Sequence, residues 1–320
     1  MEVWENKYLY SHTPTLPYPH IFYLYSVSAV SAQLFIQILI GGLLQGGIYA
    51  LAAFGLSICF GVLGVLNVAH GEFLMLGAIT AYGLFKFLHF PPLLTAVGIF
   101  PLFLLIGFLF ERWLLRPIRA GSQHEFLIAS ILVTLGASLT IEDVAFFLLE
   151  QASISIPFSL PSLKWRGIVI PSIRLIILGI IVCLTLLVHF YLRYSFTGKA
   201  MRAITQNREG ALVVGVNVSR IAMITFGIGT ALAATAGAFY VILFAVTPSM
   251  GIPLTVRYLS IVVLGGLGSL MGSLLGGIIL GLTEAITSFY VGGHWVPASS
   301  FFLLILVLLL RPQGLLGYKS

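Results

Sequence analysis

The sequence predicts an all-α polytopic membrane protein of about eight to ten transmembrane helices, several of them glycine-rich and broken. Three observations carry that prediction. Only 8% of the 320 residues are charged, 59% are hydrophobic and the mean hydropathy is +1.08, whereas a soluble domain carries about 25% charged residues. Between residues 33 and 110 the formal charges are Glu72 and Lys86 alone, and between 221 and 310 they are Arg257 and Glu284. The basic residues gather instead in short segments between apolar runs, as membrane insertion requires.

Apolar runs bounded by charge or by Pro and Gly place five spans near 93–110, 126–149, 168–192, 221–246 and 296–310. The runs 33–66 and 259–290 exceed the roughly 20 residues of one span. Their glycine content predicts pairs of short or broken helices. The run 73–87 adds one more. Residues 1–30 show no basic region followed by an apolar core and a small-residue cleavage site, so targeting is assigned to the first span.

Ten of the sixteen Lys and Arg residues lie in three segments: 111–126, 193–220 and the C-terminal tail. The positive-inside rule makes all three cytoplasmic and puts the 150–167 loop on the other face. Two spans separate the first two basic segments, so the parity agrees.

Gly268, Gly272 and Gly276 recur at i, i+4 and i+8, with Gly42 and Gly46 repeating the interval earlier. On a helix this spacing makes a groove into which another backbone can pack, either within the subunit or between subunits. The stretches 46–55 (GGIYALAAFG) and 227–237 (GIGTALAATAG) resemble each other, as in a transporter built of two related halves.

Asn67, His70 and Glu72 interrupt one of the most apolar regions of the chain. A charge near mid-bilayer costs about 2.5 to 3.5 kcal/mol on insertion scales, so Glu72 must face protein or water. His70 and Glu72 are about 200° apart on a helix and make a poor metal pair or acid–base dyad. The order His70-Gly71-Glu72 reads as a helix restarting at Gly71, with an acid in its first turn beside unpaired N–H groups. Three roles stay open for these residues: satisfying a broken helix, lining a translocation pathway, or relaying protons. Thr134, Ser138 and Glu142, at i, i+4 and i+8, form a polar stripe on a later span, which either bonds helix to helix through its hydroxyls or, through Glu142, lines a pathway.

The segment 197–220 is too polar to span, yet carries Ala203, Ile204, Ala211, Leu212 and Val214 at helical intervals. Asn207 is placed to cap a short helix, Glu209 falls in its first turn, and Gly215 is suited to the left-handed conformation that ends it. Such an amphipathic helix either lies in the lipid interface or docks into a groove of a soluble partner. Arg202 and Arg208 flank it.

Other function classes fit poorly. No nucleic-acid-binding motif accompanies the net charge of +6,. Cys59 and Cys183 sit in apolar segments without disulfide or metal spacing, and no cofactor is implied. No nucleophile, base and orienter set appears, nor an H-E-x-x-H pair. The single Gly-Lys pair, Gly198-Lys199, is followed by Ala200 and preceded at the required position by Arg193, so the chain carries no P-loop,. The reading is therefore not an enzyme, and any ATP-driven step belongs to a partner.

The stretches GLSICFGVLGVLNVAHGEFLMLGAITAY, FTGKAMRAITQNREGALVVGVNVSRIAMITFGIGTALAATAG and VVLGGLGSLMGSLLGGIILGL resemble the permease subunits of bacterial ABC importers for branched-chain amino acids, the LivH-like branch. Together they span residues 55–282. The resemblance implies a multi-pass inner-membrane permease that pairs with a second permease subunit. It also implies two cytoplasmic ATP-binding subunits and an extracytoplasmic substrate-binding protein. Urea and short-chain amide permeases resemble the same branch, so related small amides stay open as substrates. In this frame residues 31–320 form the permease domain and 1–30 an N-terminal extension. Residues 197–220 form the loop that couples to the ATPase, with Arg202, Arg208, Glu209, Leu212, Val214 and Gly215 as its contacts. Gly210 departs from the alanine usual there, at a cost of about 1 kcal/mol in helix propensity. The alternative is a self-sufficient transporter or channel in which Glu72 or Glu142 carries protons.

Overall fold

The computed structural model describes residues 19–119, 123–150, 152–165 and 168–317, with the backbone alone for 19–32, 123 and 165. Most of the N-terminal extension, 1–30, lies outside the described residues. Eleven α-helices follow in order among them: α1 (Pro19–Leu63), α2 (His70–Leu88), α3 (Pro92–Phe110), α4 (Gln123–Leu149), α5 (Ser172–Tyr194), α6 (Phe196–Gln206), α7 (Arg208–Val213), α8 (Val218–Leu243), α9 (Gly251–Gly265), α10 (Leu270–Tyr290) and α11 (Val296–Leu310). Nine of these are long and apolar enough to cross a membrane; α6 and α7 are not. One antiparallel hairpin, β1 (Leu163–Trp165) with β2 (Ile168–Ile170), precedes α5. The span expected to begin at 168 thus opens with a strand, because Pro171 stands at the N-cap of α5.

Burial is set by side-chain size. Helix α8 is the most enclosed span, and its residues 227–238 are almost all Gly, Ala or Thr. Small residues all round let neighbours approach on every side. Gly229 lies against Gly55 of α1, and each would push a Cβ into the other's carbonyl region. Gly227 meets Leu104 and Gly107 of α3, while Gly77 of α2 rests on Ala234. Apolar burial drives little helix association in lipid, so close van der Waals packing of this kind holds the bundle together. Helices α4 and α11 are largely exposed, presenting Leu132, Leu139, Phe302 and Leu309 outward.

The glycines between 33 and 63 do not break the helix. Helix α1 runs unbroken to Leu63, and Gly42 and Gly46 face Gly281 and Gly277 of α10 in an antiparallel crossing. The chain breaks at 64–69, opened by Gly64 at φ 65°. The expected second break in 259–290 does occur, at 266–269, where Gly266 (φ 106°) and Gly268 (φ 79°) adopt left-handed backbone. Gly268 is therefore a turn residue against Gly61 and not part of the helical groove; Gly272 and Gly276 face Gly265 and Ile261 of α9. The carbonyls that end α9 accept from Leu315 and Leu316, at 2.9 Å each.

The two similar stretches occupy corresponding places. The ALAA runs at 50–53 and 231–234 lie in α1 and α8, each followed by a break and then by α2 or α9. His70 and Gly251 open those helices at the same interval from the two runs. Contacts of Gly55 with Gly229 and of Cys59 with Thr225 make α1 and α8 antiparallel. The halves consequently face each other inverted.

The arginine-rich segments share one end of the bundle: Glu111 and Arg119 are 2.6 Å apart, and Arg119 feels the charge of Arg208. In a Cys183→Ser background, Gln206→Cys is expected to react in intact cells with membrane-permeant maleimide only. Ser159→Cys is expected to react with impermeant reagent as well. The reverse pattern overturns this orientation.

Candidate functional site

The break at 64–69 frees backbone groups inside the bundle, and neighbouring helices supply their partners. Val68 N–H donates to Thr134 Oγ1 of α4 at 3.1 Å. Val68 C=O accepts from Thr255 Oγ1 of α9 at 2.8 Å, and Gly71 N–H donates to the same hydroxyl at 2.7 Å. Asn67 Oδ1 accepts from Ala69 N–H at 3.1 Å. Ala69, at the N-cap of α2, has no side-chain oxygen to offer, so Thr255 caps the helix from outside it. A freed backbone group in the membrane costs several kcal/mol when unpartnered. Three polar side chains from three segments remove that cost.

The helix restarts at His70, one residue before the expected position. Gly71 is needed for proximity: a Cβ there would overlap the carbonyl oxygen of Gly251, the first residue of α9. The starts of α2 and α9 thus meet inside the protein. Glu72 lies over Gly251 and accepts from Ser138 Oγ at 3.0 Å through Oε1, while its fully buried Oε2 has no partner among the described residues. His70 points the other way, its Nε2 donating to Ala52 C=O at 2.9 Å. Asn67, His70, Gly71, Glu72, Thr134 and Ser138 are all buried around one crossing. Glu142, one turn beyond Ser138, is half-buried at its edge.

A second polar centre was missed by the sequence reading. Arg257 of α9 pairs with Glu284 of α10, Nε to Oε1 3.0 Å. Glu284 also accepts from Tyr49 of α1 at 2.9 Å and Ser300 of α11 at 2.9 Å. Gln45 donates to the Tyr49 hydroxyl at 2.5 Å, as does Arg257 Nη1 at 3.1 Å. Four helices are tied through one carboxylate that is 2% exposed. The available signal was that Arg257 and Glu284 are the two formal charges in ninety apolar residues. A cation and an anion so isolated in lipid pair with each other by default.

At the arginine-rich end, Asn207 Oδ1 accepts from Gly210 N–H at 2.8 Å and caps α7. Glu209 lies in its first turn, and Gly215 (φ 83°) turns the chain after Val214. Leu212, Val213 and Val214 are 54%, 87% and 76% exposed, a patch whose most exposed member, Val213, falls off the helical spacing used to find the others. Arg208 and Glu209 are exposed beside it. Arg202, itself exposed, donates to Leu192 C=O (2.5 Å) and Arg193 C=O (3.0 Å), fastening α6 to the end of α5.

Among the described residues, nine membrane-length helices, two satisfied helix breaks and buried charge held in pairs or hydrogen bonds define a multi-pass membrane protein. Residues 38–310 match the family described as branched-chain amino acid transport system / permease component, and the chain belongs to that family. It is 31% identical over 299 residues to the high-affinity branched-chain amino acid transport system permease protein LivH of Escherichia coli, covering 88% of this chain and 96% of that one. BraD of Pseudomonas aeruginosa, bearing the same description, is 31% identical over 298 residues with the same coverage. A probable branched-chain amino acid transport permease protein LivH of Methanocaldococcus jannaschii is 25% identical, covering 88% and 92%.

The two carboxylates are expected to respond differently to substitution. Glu72→Gln keeps the acceptor for Ser138 and removes a buried charge, so thermal stability of the detergent-solubilised protein stays near wild type. Glu284→Ala leaves the half-buried Arg257 without its counter-ion, at a cost of at most about 3–5 kcal/mol, and lowers the aggregation temperature in fluorescence-detected size-exclusion assays. Equal stability of the two variants contradicts this assignment.

Proposed function

We propose that this chain is the permease subunit of an ATP-driven importer for branched-chain amino acids, located in the bacterial inner membrane and acting without catalytic chemistry of its own. The observation that carries the reading is the capped helix α7, which holds Leu212, Val213 and Val214 out at the arginine-rich end. An apolar tip raised on a short amphipathic helix suits a groove in a soluble partner. The absence of any P-loop in the sequence makes that partner the site of ATP hydrolysis,. A second permease subunit and an extracytoplasmic substrate-binding protein complete the assembly.

In this reading substrate passes beside the crossing of α2 and α9. Broken helices border transport pathways because their free ends can rearrange without unwinding a whole span. Asn67, His70, Gly71, Glu72, Thr134 and Ser138 hold that crossing, and Glu142 stands where the stripe reaches the surface. Related small amides enter by the same route if the binding protein delivers them. Arg208 and Glu209 orient the docked α7 by charge, Gly215 fixes its angle, and Arg202 braces α6 beneath it.

Leu212→Asp places a charge in the docking tip without touching the bundle, because Leu212 is exposed. The expected result is a permease that inserts normally but loses its ATPase subunits on purification, with uptake reduced at least about tenfold, the usual scale for a buried anchor. Stoichiometric ATPase and normal uptake would return α7 to the lipid surface. ATP-independent uptake by the chain alone would instead establish the self-sufficient transporter.

A further inference from the structure

A cavity of about 390 Å³ opens at the end of the bundle opposite the arginine-rich segments, among α1, α5, α10 and α11. Its polar lining is Gln45, Arg174, Glu284 and Ser288, and its apolar wall includes Ile38 and Phe289. The volume is in the range of pockets that enclose small molecules. The charges in it do not cancel. Glu284 is neutralised by Arg257 at 3.0 Å, whereas the Arg174 side chain has no ion pair or hydrogen bond to any described residue. One uncompensated guanidinium therefore faces the cavity.

The remaining polar lining offers oxygen acceptors, with the Ser288 hydroxyl able to donate as well. Gln45 directs its amide nitrogen to Tyr49 and Glu284, which leaves its Oε1 without a partner. Ser288 Oγ is also unbonded among the described residues, and Glu284 Oε2 holds one short bond, from Tyr49, and one long one of 3.4 Å, from Gln45. A bidentate cation on one side, oxygen acceptors on another and an aliphatic or aromatic wall match three groups of one ligand class.

We infer that this cavity binds an aliphatic α-amino acid as its zwitterion: Arg174 takes the α-carboxylate, Gln45, Ser288 and Glu284 take the α-ammonium, and the apolar wall takes the side chain. The inference rests on the proposed importer function, and adds where the permease itself meets the substrate. Guanidinium and carboxylate fit as a planar two-bond pair. An amino acid seated here touches Glu284, and through Arg257 it touches α9, whose first residue abuts Gly71 and Glu72. Occupancy of the cavity is thereby linked to the helix crossing by one ion pair and one helix.

The test uses the assembled complex in nanodiscs, with Cys183→Ser and Ser288→Cys as the labelled site and N-ethylmaleimide as the reagent. Leucine is expected to slow labelling about tenfold, the scale of a charge-assisted pair. Leucinamide, which lacks the carboxylate, and 4-methylpentanoate, which lacks the ammonium, are expected to protect by less than about twofold. Arg174→Gln removes protection by leucine, while Arg174→Lys retains part of it; the Arg174 side chain bonds no described residue, and its backbone N–H to Pro171 C=O is kept in both variants, so neither change disturbs the fold. Absence of protection by leucine overturns the proposal. Equal protection by 4-methylpentanoate or inorganic phosphate overturns it in favour of a simple anion site, such as one for a lipid headgroup. ATP-driven leucine uptake is measured with its binding protein on the Cys183→Ser complex that keeps Ser288. Uptake without protection sinks the cavity alone, and failure to take up any branched-chain amino acid sinks the importer reading with it.

Discussion

A backbone N–H or C=O inside a bilayer has no water to turn to, and the structure is arranged around that fact. Regular helix satisfies the groups internally, so each departure from helix must be met by another part of the protein. At 64–69 the partners are Thr134, Thr255 and Asn67. At the end of α9 they are the amides of Leu315 and Leu316. Neither break can be moved without moving the element that satisfies it. The crossing of α2 and α9 is consequently a shared structure: Thr255 belongs to one broken helix and caps the other.

Glycine has three separate uses here, and they differ in how visible they are in the sequence. Gly64, Gly266 and Gly268 allow left-handed backbone, Gly71 and Gly251 allow two helix starts to touch, and Gly42, Gly46, Gly277 and Gly281 let α1 and α10 cross closely. Composition alone does not separate these uses, which is why 33–66 reads as a broken pair and Gly268 as part of a helical groove. The span count, the interruption near His70 and the cap at Asn207 were legible because each depends on local chemistry: length, an isolated charge, a side-chain oxygen three residues before an N–H. Thr255, Arg257 and Glu284 were not, because their partners lie on distant helices. Arg257 and Glu284 are twenty-seven positions apart, an interval with no helical meaning until α9 and α10 are known to fold back on one another.

The two polar centres solve different problems. Glu72 and its neighbours mostly serve the backbone, and Glu72 itself keeps one carboxylate oxygen unbonded. The Glu284 centre involves side chains throughout and ties α1, α9, α10 and α11 at one point. A carboxylate with four partners is rigid, since breaking any one leaves the others strained against a buried charge. Movement during a transport cycle is therefore expected to pivot about this point and to open elsewhere, at the crossing where hydroxyl groups can exchange partners at small cost.

The C-terminal segment also has a bearing on how the protein is made. Leu264 and Gly265 end α9, yet the amides that satisfy them come from Leu315 and Leu316, and Gly314 fits against Gly266. All of α10 and α11 must be synthesised and inserted before those bonds exist. At roughly 5–20 residues per second, the end of α9 waits several seconds with its carbonyls open. During that interval the second half of the bundle can be placed in the membrane but not closed. Closure of the bundle is thus timed by the arrival of a few residues beyond the last span.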